Sequence, residues 1–490
     1  MAHRPHPAGV VSTEHIDVLI VGAGLSGIGA AHHLQDRLPH KTYAIVEARD
    51  TIGGTWDLFR YPGVRSDSDM QTLGYRFRPW TEAKAIADGP SILTYVRDTA
   101  REAGIDRHIR FGHRVRGAAW STPDARWTVS IEGRPAVTCD FLYVCGGYYR
   151  YDAGYRPQWP DLDRFEGELV HPQFWPEDLD YAGKRVLVIG SGATAVTLVP
   201  ALTDQAAHVT MLQRSPSYIL SIPSEDPIAN GLRRVLGDRR AYPLTRWKNV
   251  AISTLVYQLS QRRPKLMRSL LRRGVMHQLP PGYAVDTHFN PTYGPWDQRL
   301  CLVPDGDLFR ALKAGQASIV TDRIERFTPT GVRLESGAEL DADIIVTATG
   351  LNLQAIGGVE LSVDGTPVSL PERLAYKGMM LSRVPNFAFT IGYTNASWTL
   401  KADLVAEFVC RLLEYMEGNG YRQCMPVDDD PALERVPLLD FDAGYVQRSI
   451  HLFPKGASRA PWRLGMSYAQ DVVTIRHGAL EDGALRFSAP

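Results

Sequence analysis

The sequence twice places a short apolar run directly before a glycine turn, and this arrangement limits the fold more than any other feature. Ile16 to Val21 (IDVLIV) is apolar almost throughout, as a strand buried on both faces of a parallel sheet should be. It runs into Gly22-Ala-Gly24-Leu-Ser-Gly27, then a helix-compatible segment as far as Pro39, then Tyr43 to Val46 (YAIV), which leads into Glu47. A glycine motif in strand–helix–strand order marks a dinucleotide-binding unit, because backbone N–H groups must approach a pyrophosphate closely at a helix N-terminus. Glu47 stands 20 residues beyond Gly27. A carboxylate there accepts hydrogen bonds from both ribose hydroxyls and repels a 2′-phosphate, so the first site suits FAD or NAD and not NADP.

The second copy begins at Arg185 to Ile189 (RVLVI) and continues through Gly190-Ser-Gly192-Ala-Thr-Ala195, a helical segment and the strand Val209 to Leu212. Where the first copy has Glu47, this one has Gln213, followed by Arg214 and Ser215. Loss of the acid with gain of a guanidinium and a hydroxyl is what a 2′-phosphate requires, which points to NADPH; a solvated surface arginine is the alternative for Arg214. The two motifs lie 168 residues apart in a chain of 490, enough for two or three domains. Phe141 to Gly147 and Asp343 to Gly350 (DIIVTATG) read as buried strands ending in glycine turns, where the chain leaves and re-enters the first unit.

The expected fold is therefore α/β, with two Rossmann-like dinucleotide-binding domains. The first spans 14–150 and resumes over 340–490, and the second spans 151–339 with a helical insertion at about 225–285. Balanced charge, with 54 basic and 54 acidic residues, gives no pointer to nucleic acid. Five scattered cysteines without a Cys-x-x-Cys pair fit a reducing cytoplasm, offer no metal site and exclude a disulfide reductase. The opening residues, Met1 to Thr13, read as a loose tail and not a signal peptide, and no apolar stretch approaches the length of a membrane span.

Between the two units lies Phe165-Glu-Gly167-Glu-Leu-Val-His171-Pro-Gln-Phe-Trp175-Pro176. It resembles the FxGxxxHxxxWP fingerprint of the type I Baeyer–Villiger monooxygenases, a subset of the flavin-containing monooxygenases. Gly53-Gly54-Thr55-Trp56 and Arg60 to Asp67 resemble that family's path from the FAD pyrophosphate to the flavin ring. Pro295 to Leu300, His288 to Pro291, Tyr376 to Met380 and Gly392 to Asp403 are similar to its ethionamide-activating branch, and the likeness runs from about His15 to Phe487. Departures are Ser66 for a cysteine, Gln298 for a lysine, Ala195 for a third glycine and Cys145-Gly-Gly for an Ala-Thr-Gly turn.

The resemblance implies an NADPH-consuming FAD enzyme that inserts one oxygen of O2 beside a ketone carbonyl, giving an ester or lactone, with possible sulfoxidation. It places a catalytic arginine at Arg299 and an active-site aspartate at Asp67. A fixed guanidinium in a dry pocket stabilises the negative charge that develops during such chemistry; an ordinary structural ion pair, or no contact at all, is the alternative. For His171 a structural or hinge role is favoured. Leu400 to Met416 carries a helical apolar stripe whose cap region, Asn395 to Ser397, would aim N–H groups at the flavin. From Arg233 to Arg273 there are twelve Lys or Arg and one acid among apolar residues. That stretch reads as basic amphipathic helices, either a solvated face or a peripheral membrane contact that would bring in hydrophobic ketones. Rival functions are an enzyme oxidising only nitrogen or sulfur and a non-oxygenating FAD/NADPH redox sensor.

Overall fold

The computed structural model describes residues 13–298, 300–439 and 441–489. The tail expected over residues 1–13 falls outside them, Thr13 excepted.

Strand His15–Val21 pairs in parallel with Tyr43–Val46 on one side and Val137–Val144 on the other, with Val18, Leu19 and Ile20 fully buried. A strand covered on both faces has no solvent side to alternate toward, which is why the run is apolar from Val18 to Val21. The sheet extends through the meander Val115–Ser121, Arg126–Ile131 and Val137–Val144. Glu360–Val363 and Phe387–Phe389, far away in the chain, also belong to it.

The second unit is a five-stranded parallel sheet in the order Ala317–Thr321, His208–Gln213, Arg185–Ile189, Ile344–Thr347, Glu168–Val170. This corrects the expected boundary at 339/340. Ile344–Thr347 lies in register beside Arg185–Ile189, Ile345 opposite Leu187, so it belongs to the second unit. An apolar run ending in glycine looks the same in either sheet, and only its non-local partner decides. The crossings themselves are Tyr149–Gly154 and Leu351–Leu353, which pair antiparallel as a two-stranded ribbon. The other expected boundary, 150/151, falls within the first of these strands.

Helices Pro227–Leu236, Asp238–Arg262 and Pro264–Gln278 form the insertion. The middle helix is strapped to the first unit. Arg246 Nη1 donates to the carbonyls of Gln71, Thr72 and Gly74 at 3.0, 3.2 and 2.7 Å, and Nη2 lies 3.4 Å from Asp403. Tyr242 Oη donates to Tyr75 O at 3.1 Å. Asp403 sits in helix Trp398–Gly418, which carries the predicted apolar stripe and packs on helix Leu25–Arg37. Burial alone would raise the Asp403 pKa, but His33, Arg246 and the Arg76 amide hold it below its usual value.

A buried guanidinium that satisfies three carbonyls and a carboxylate cannot be removed without leaving buried acceptors unpaired. Arg246→Met is expected to weaken docking of the insertion by about 3–5 kcal/mol. Amide hydrogen exchange checks this: it should accelerate across 238–262 while the central strands of both sheets keep their protection. Because the folded Asp403 pKa is depressed, this contribution is full at neutral pH and is lost as pH falls through the folded value.

Candidate active site

The first glycine turn and the helix start that follows the second one line a single cavity of about 380 Å³. Gly22, Gly24, Glu47, Gly54, Thr55, Trp56 and Asp67 line it from the first unit, and Ala193 and Thr194, at the start of helix Ala193–Leu202, line it from the second. The backbone shape of each turn is enforced by contacts that only glycine permits. A Cβ on Gly27 would stand 1.9 Å from Gly22 O, so helix Leu25–Arg37 rests directly on the first turn. At Gly190, φ is +145° and a Cβ would stand 2.3 Å from Ala348 O. Gly192 is different: an added Cβ there meets nothing within 4 Å, leaving its backbone open to a ligand. Ala195, in place of a third glycine, is fully buried in the helix that follows.

Glu47 is buried at the strand end. Its Oε2 accepts the Ala23 N–H at 2.7 Å and its Oε1 the Arg49 N–H at 2.9 Å. Two amides fix the carboxylate, and the lone pairs they leave are available to a ribose diol. Arg49 also donates to Gly54 O and lines the same wall, although the sequence reading passed over it. Tyr151, which reaches the site from the crossing ribbon, stands 3.5 Å from Thr55 Oγ1. Burial pushes its phenol up to about 12, so it remains a protonated donor. This cradle of close-packed glycine backbone, a pinned carboxylate and hydroxyl donors fits a dinucleotide with an unmodified ribose.

In the second unit, Gln213 does not take the place of Glu47. Its Nε2 donates inward to His288 O and Thr321 Oγ1, both at 2.8 Å. Arg214 and Ser215 follow it and are exposed, with Ser215 O accepting from Ser191 Oγ at 3.0 Å. The structure adds a second cation there. Arg448, from the C-terminal segment, lies over the Tyr155 ring at 3.4 Å. Burial lowers its pKa, Tyr155 opposes that, and the charge of Arg214 lowers it further. Nothing local in the sequence connects residue 448 to residue 214.

Asp67 lies where the two units meet. Phe59, Tyr61 and Val64, just before it in the chain, are buried in the core of the second unit, and Arg65 reaches across to Asp307 at 2.5 Å. The proposed partner Arg299 lies outside the described residues. Asn395 is not on the cavity wall: its Nδ2 donates to Met466 O at 3.0 Å, so it ties down the C-terminal segment. Ser397 occupies the N-cap position of helix Trp398–Gly418 but makes no capping bond, and its hydroxyl instead pairs with Thr72 Oγ1 at 2.6 Å. Trp398, the first helical residue, lines the cavity and donates to Ser26 Oγ in the first glycine motif at 2.7 Å. A buried group anchors the chain end further: Asp471 accepts from Lys401 Nζ at 2.8 Å and from the cavity-lining Tyr393 at 2.6 Å.

Among the fingerprint residues His171 braces the ribbon, and Phe165 and Trp175 pack on the second unit. His171 Nδ1 accepts the Gln173 N–H at 3.2 Å, so Nε2 carries the proton and donates to Tyr155 O at 3.2 Å. Burial lowers the His171 pKa against the effect of these backbone bonds. A Cβ on Gly154 would stand 2.3 Å from the ring, which shows how tightly His171 backs the first crossing strand. Phe165 packs against Phe327, Gly167 lies under Asp343 O, and Trp175 joins the core of the second unit. Pro176 O accepts the Leu179 N–H.

Comparison with known proteins gives a consistent result. Residues 83–262 match the family described as flavin-binding monooxygenase-like, and residues 20–87 match an NAD(P)-binding Rossmann-like domain. The chain is 58% identical over 480 residues to the FAD-containing monooxygenase EthA of Mycobacterium tuberculosis, an alignment covering 97% of this chain and 98% of that protein. Two solved structures share the fold. One is an oxidized steroid monooxygenase bound to NADP, with a TM-score of 0.76 at 22% identity, and the other is cyclohexanone monooxygenase in an open crystal structure, with 0.78 at 21%. Each superposition covers 97% of this chain and 100% of the other.

Gly27→Ala should lower flavin retention by about 10²-fold through the clash with Gly22 O. Gly192→Ala should retain flavin, and the ratio of flavin to protein absorbance after gel filtration distinguishes the two.

Proposed function

The chain belongs to the FAD-containing, flavin-binding monooxygenases, and from that premise we propose that it consumes NADPH and O2 to insert one oxygen atom beside a ketone carbonyl, releasing an ester or lactone. The observation that carries this reading is one cavity lined both by the first glycine turn and by Ala193 and Thr194, which follow the second. Bound in the first unit, FAD supplies the activation of O2. The residues around it bind, orient and keep out water.

In this reading Gly22, Gly24 and Gly54 give a pyrophosphate its backbone contacts, Glu47 holds the ribose, and Thr55 and Trp56 lead toward the flavin ring. Gly190 and Gly192 receive the second nucleotide, Ala195 packs the helix behind them, and Arg214 and Ser215 recognise a 2′-phosphate. Selection of NADPH over NADH then follows from charge, since a guanidinium meets a phosphate dianion better than it meets a ribose hydroxyl. Arg299 supplies the positive charge that stabilises developing oxyanions, and Asp67 orients it. His171, held neutral and wedged behind the crossing strand, sets the angle between the units as a positioning residue. Asn395 acts through the C-terminal segment that it ties down.

A hydrophobic ketone is the favoured substrate, because the cavity wall beside the polar cradle includes Val21, Leu25, Phe59, Val64, Leu73 and Trp398. Thioethers and thioamides are the second substrate class, oxidised at sulfur in the same cavity. No helix among the described residues is long and apolar enough to cross a membrane, so contact with lipid would be peripheral.

The test is product analysis with purified holoenzyme, NADPH and a panel of ketones and thioethers. Ester should form with about one NADPH consumed per product, and Arg299→Ala should cut oxygenation by about 10²-fold while retaining flavin. NADPH consumption yielding hydrogen peroxide and no oxygenated product would overturn the proposal in favour of a redox sensor. Sulfoxide without ester from any ketone would reassign the chain to sulfur oxidation alone.

A further inference from the structure

The exposed apolar surface of this protein is unevenly distributed. Of the 14 large apolar side chains exposed among the described residues, 10 lie between Ile228 and Met276, in the three insertion helices. Scattered single exposures are ordinary on a soluble protein, but this concentration on one element is not.

Helix Asp238–Arg262 shows how the surface is built. Tyr242, Thr245, Arg246 and Val250 are buried toward the first unit. The opposite face carries Leu244, Trp247 and Leu255, 55, 47 and 66% exposed, with Ile252 at its margin at 51%. Arg240 lies one helical turn before Leu244 and Arg262 two turns after Leu255, so a single stripe of about 33 Å has cations at both ends and apolar groups between them. Leu266 and Leu270 repeat the pattern one turn apart on the next helix.

Beyond Asp238, which pairs with Arg233, the charge on these two helices has one sign. From Arg239 to Arg273 there is no Asp or Glu. Lys248 and Arg272 reach Asp226 and Asp286 outside that span. The exposed Arg239, Arg240, Arg262, Arg263, Lys265 and Arg273 have no carboxylate within 4.0 Å among the described residues. A second copy docking face to face would set these cations against their own equivalents, which disfavours an isologous dimer. Apolar side chains interleaved with unneutralised cations complement a surface that is apolar beneath and anionic on top; Trp247, half-exposed beside Tyr468, is among them.

We propose that the exposed face of helices Asp238–Arg262 and Pro264–Gln278 docks on an anionic lipid bilayer and presents the cavity to it. The same helix is bonded to the segment that carries the wall residues Asp67, Ser68 and Leu73: Asn249 Nδ2 donates to Asp69 Oδ1 at 2.7 Å, and Arg246 holds the carbonyls of residues 71, 72 and 74. Docking therefore fixes the cavity relative to the bilayer, where hydrophobic ketones partition. The substrate part of this inference rests on the oxygenation proposed above, while the docking part does not.

Sedimentation of the FAD-loaded protein with vesicles tests it. Vesicles of phosphatidylcholine containing about one-third phosphatidylglycerol should pull the protein down at low salt, pure phosphatidylcholine vesicles much less, and added salt should weaken the binding. The double variant Leu244→Glu/Leu255→Glu, altered only at exposed positions, should lose more than about tenfold in partition coefficient. Arg262→Glu/Arg263→Glu should lose about fivefold or more per position. Both variants should turn over a water-soluble ketone at the wild-type rate. Absence of binding to anionic vesicles at low salt, or binding unaffected by either double variant, would overturn the proposal. So would a wild-type oligomer that ignores vesicles and is dissociated by Leu244→Glu/Leu255→Glu, which would show that the face meets a second copy. Because sedimentation needs no turnover, protein that binds vesicles but oxygenates no ketone would remove the proposed activity and leave the docking intact.

Discussion

A peptide backbone must come within hydrogen-bond distance of a dinucleotide pyrophosphate, and two such approaches, one in each Rossmann unit, govern the rest of this structure. Each approach needs a bare turn between a buried strand and a helix. At Gly27 the helix rests on the carbonyl of Gly22, and at Gly190 the backbone takes a conformation that L side chains rarely adopt. The surrounding core holds these turns in place. Strands buried on both faces make the turn positions rigid, and Glu47 is fixed by two amides before any ribose arrives.

Two nucleotides serve one reaction only if their units face each other, and several independent contacts set that relation. The ribbon of Tyr149–Gly154 and Leu351–Leu353 carries both crossings, and His171 backs it with its protonation state dictated by the Gln173 amide. The segment before Asp67 crosses the cleft to pack in the other unit. Arg246 straps the insertion back onto the first unit through three carbonyls. Apart from those of His171, these contacts join residues far apart in the chain, so relative orientation is a distributed property of the molecule.

The sequence revealed what is local and left obscure what depends on distant partners. The strand-to-glycine transitions at Val21 and Ile189, the acid at Glu47 and the apolar stripe of 400–416 were readable because period and spacing reflect burial directly. Ile344–Thr347 was assigned to the wrong unit because its composition suits either sheet. Asn395 was read as a cap because its position suggested one, yet its amide goes to Met466, 71 residues on. Gln213 aligns with Glu47 but turns inward, and Arg448 reaches the neighbourhood of Arg214 from a segment without recognisable chemistry. Even the basic insertion was legible only as an amphipathic pattern. Which of its faces is buried depends on Gln71, Thr72, Gly74 and Asp403.

The claim that both glycine turns serve one reaction is tested most directly by anaerobic rapid mixing of the FAD-loaded protein with NADPH, following the flavin absorbance. The account predicts stoichiometric bleaching by NADPH, and bleaching by NADH slower by about tenfold or more because no 2′-phosphate engages the cations of the second site. Both nucleotides bound, with no bleaching over many minutes, would show that the two sites do not communicate and would contradict the account.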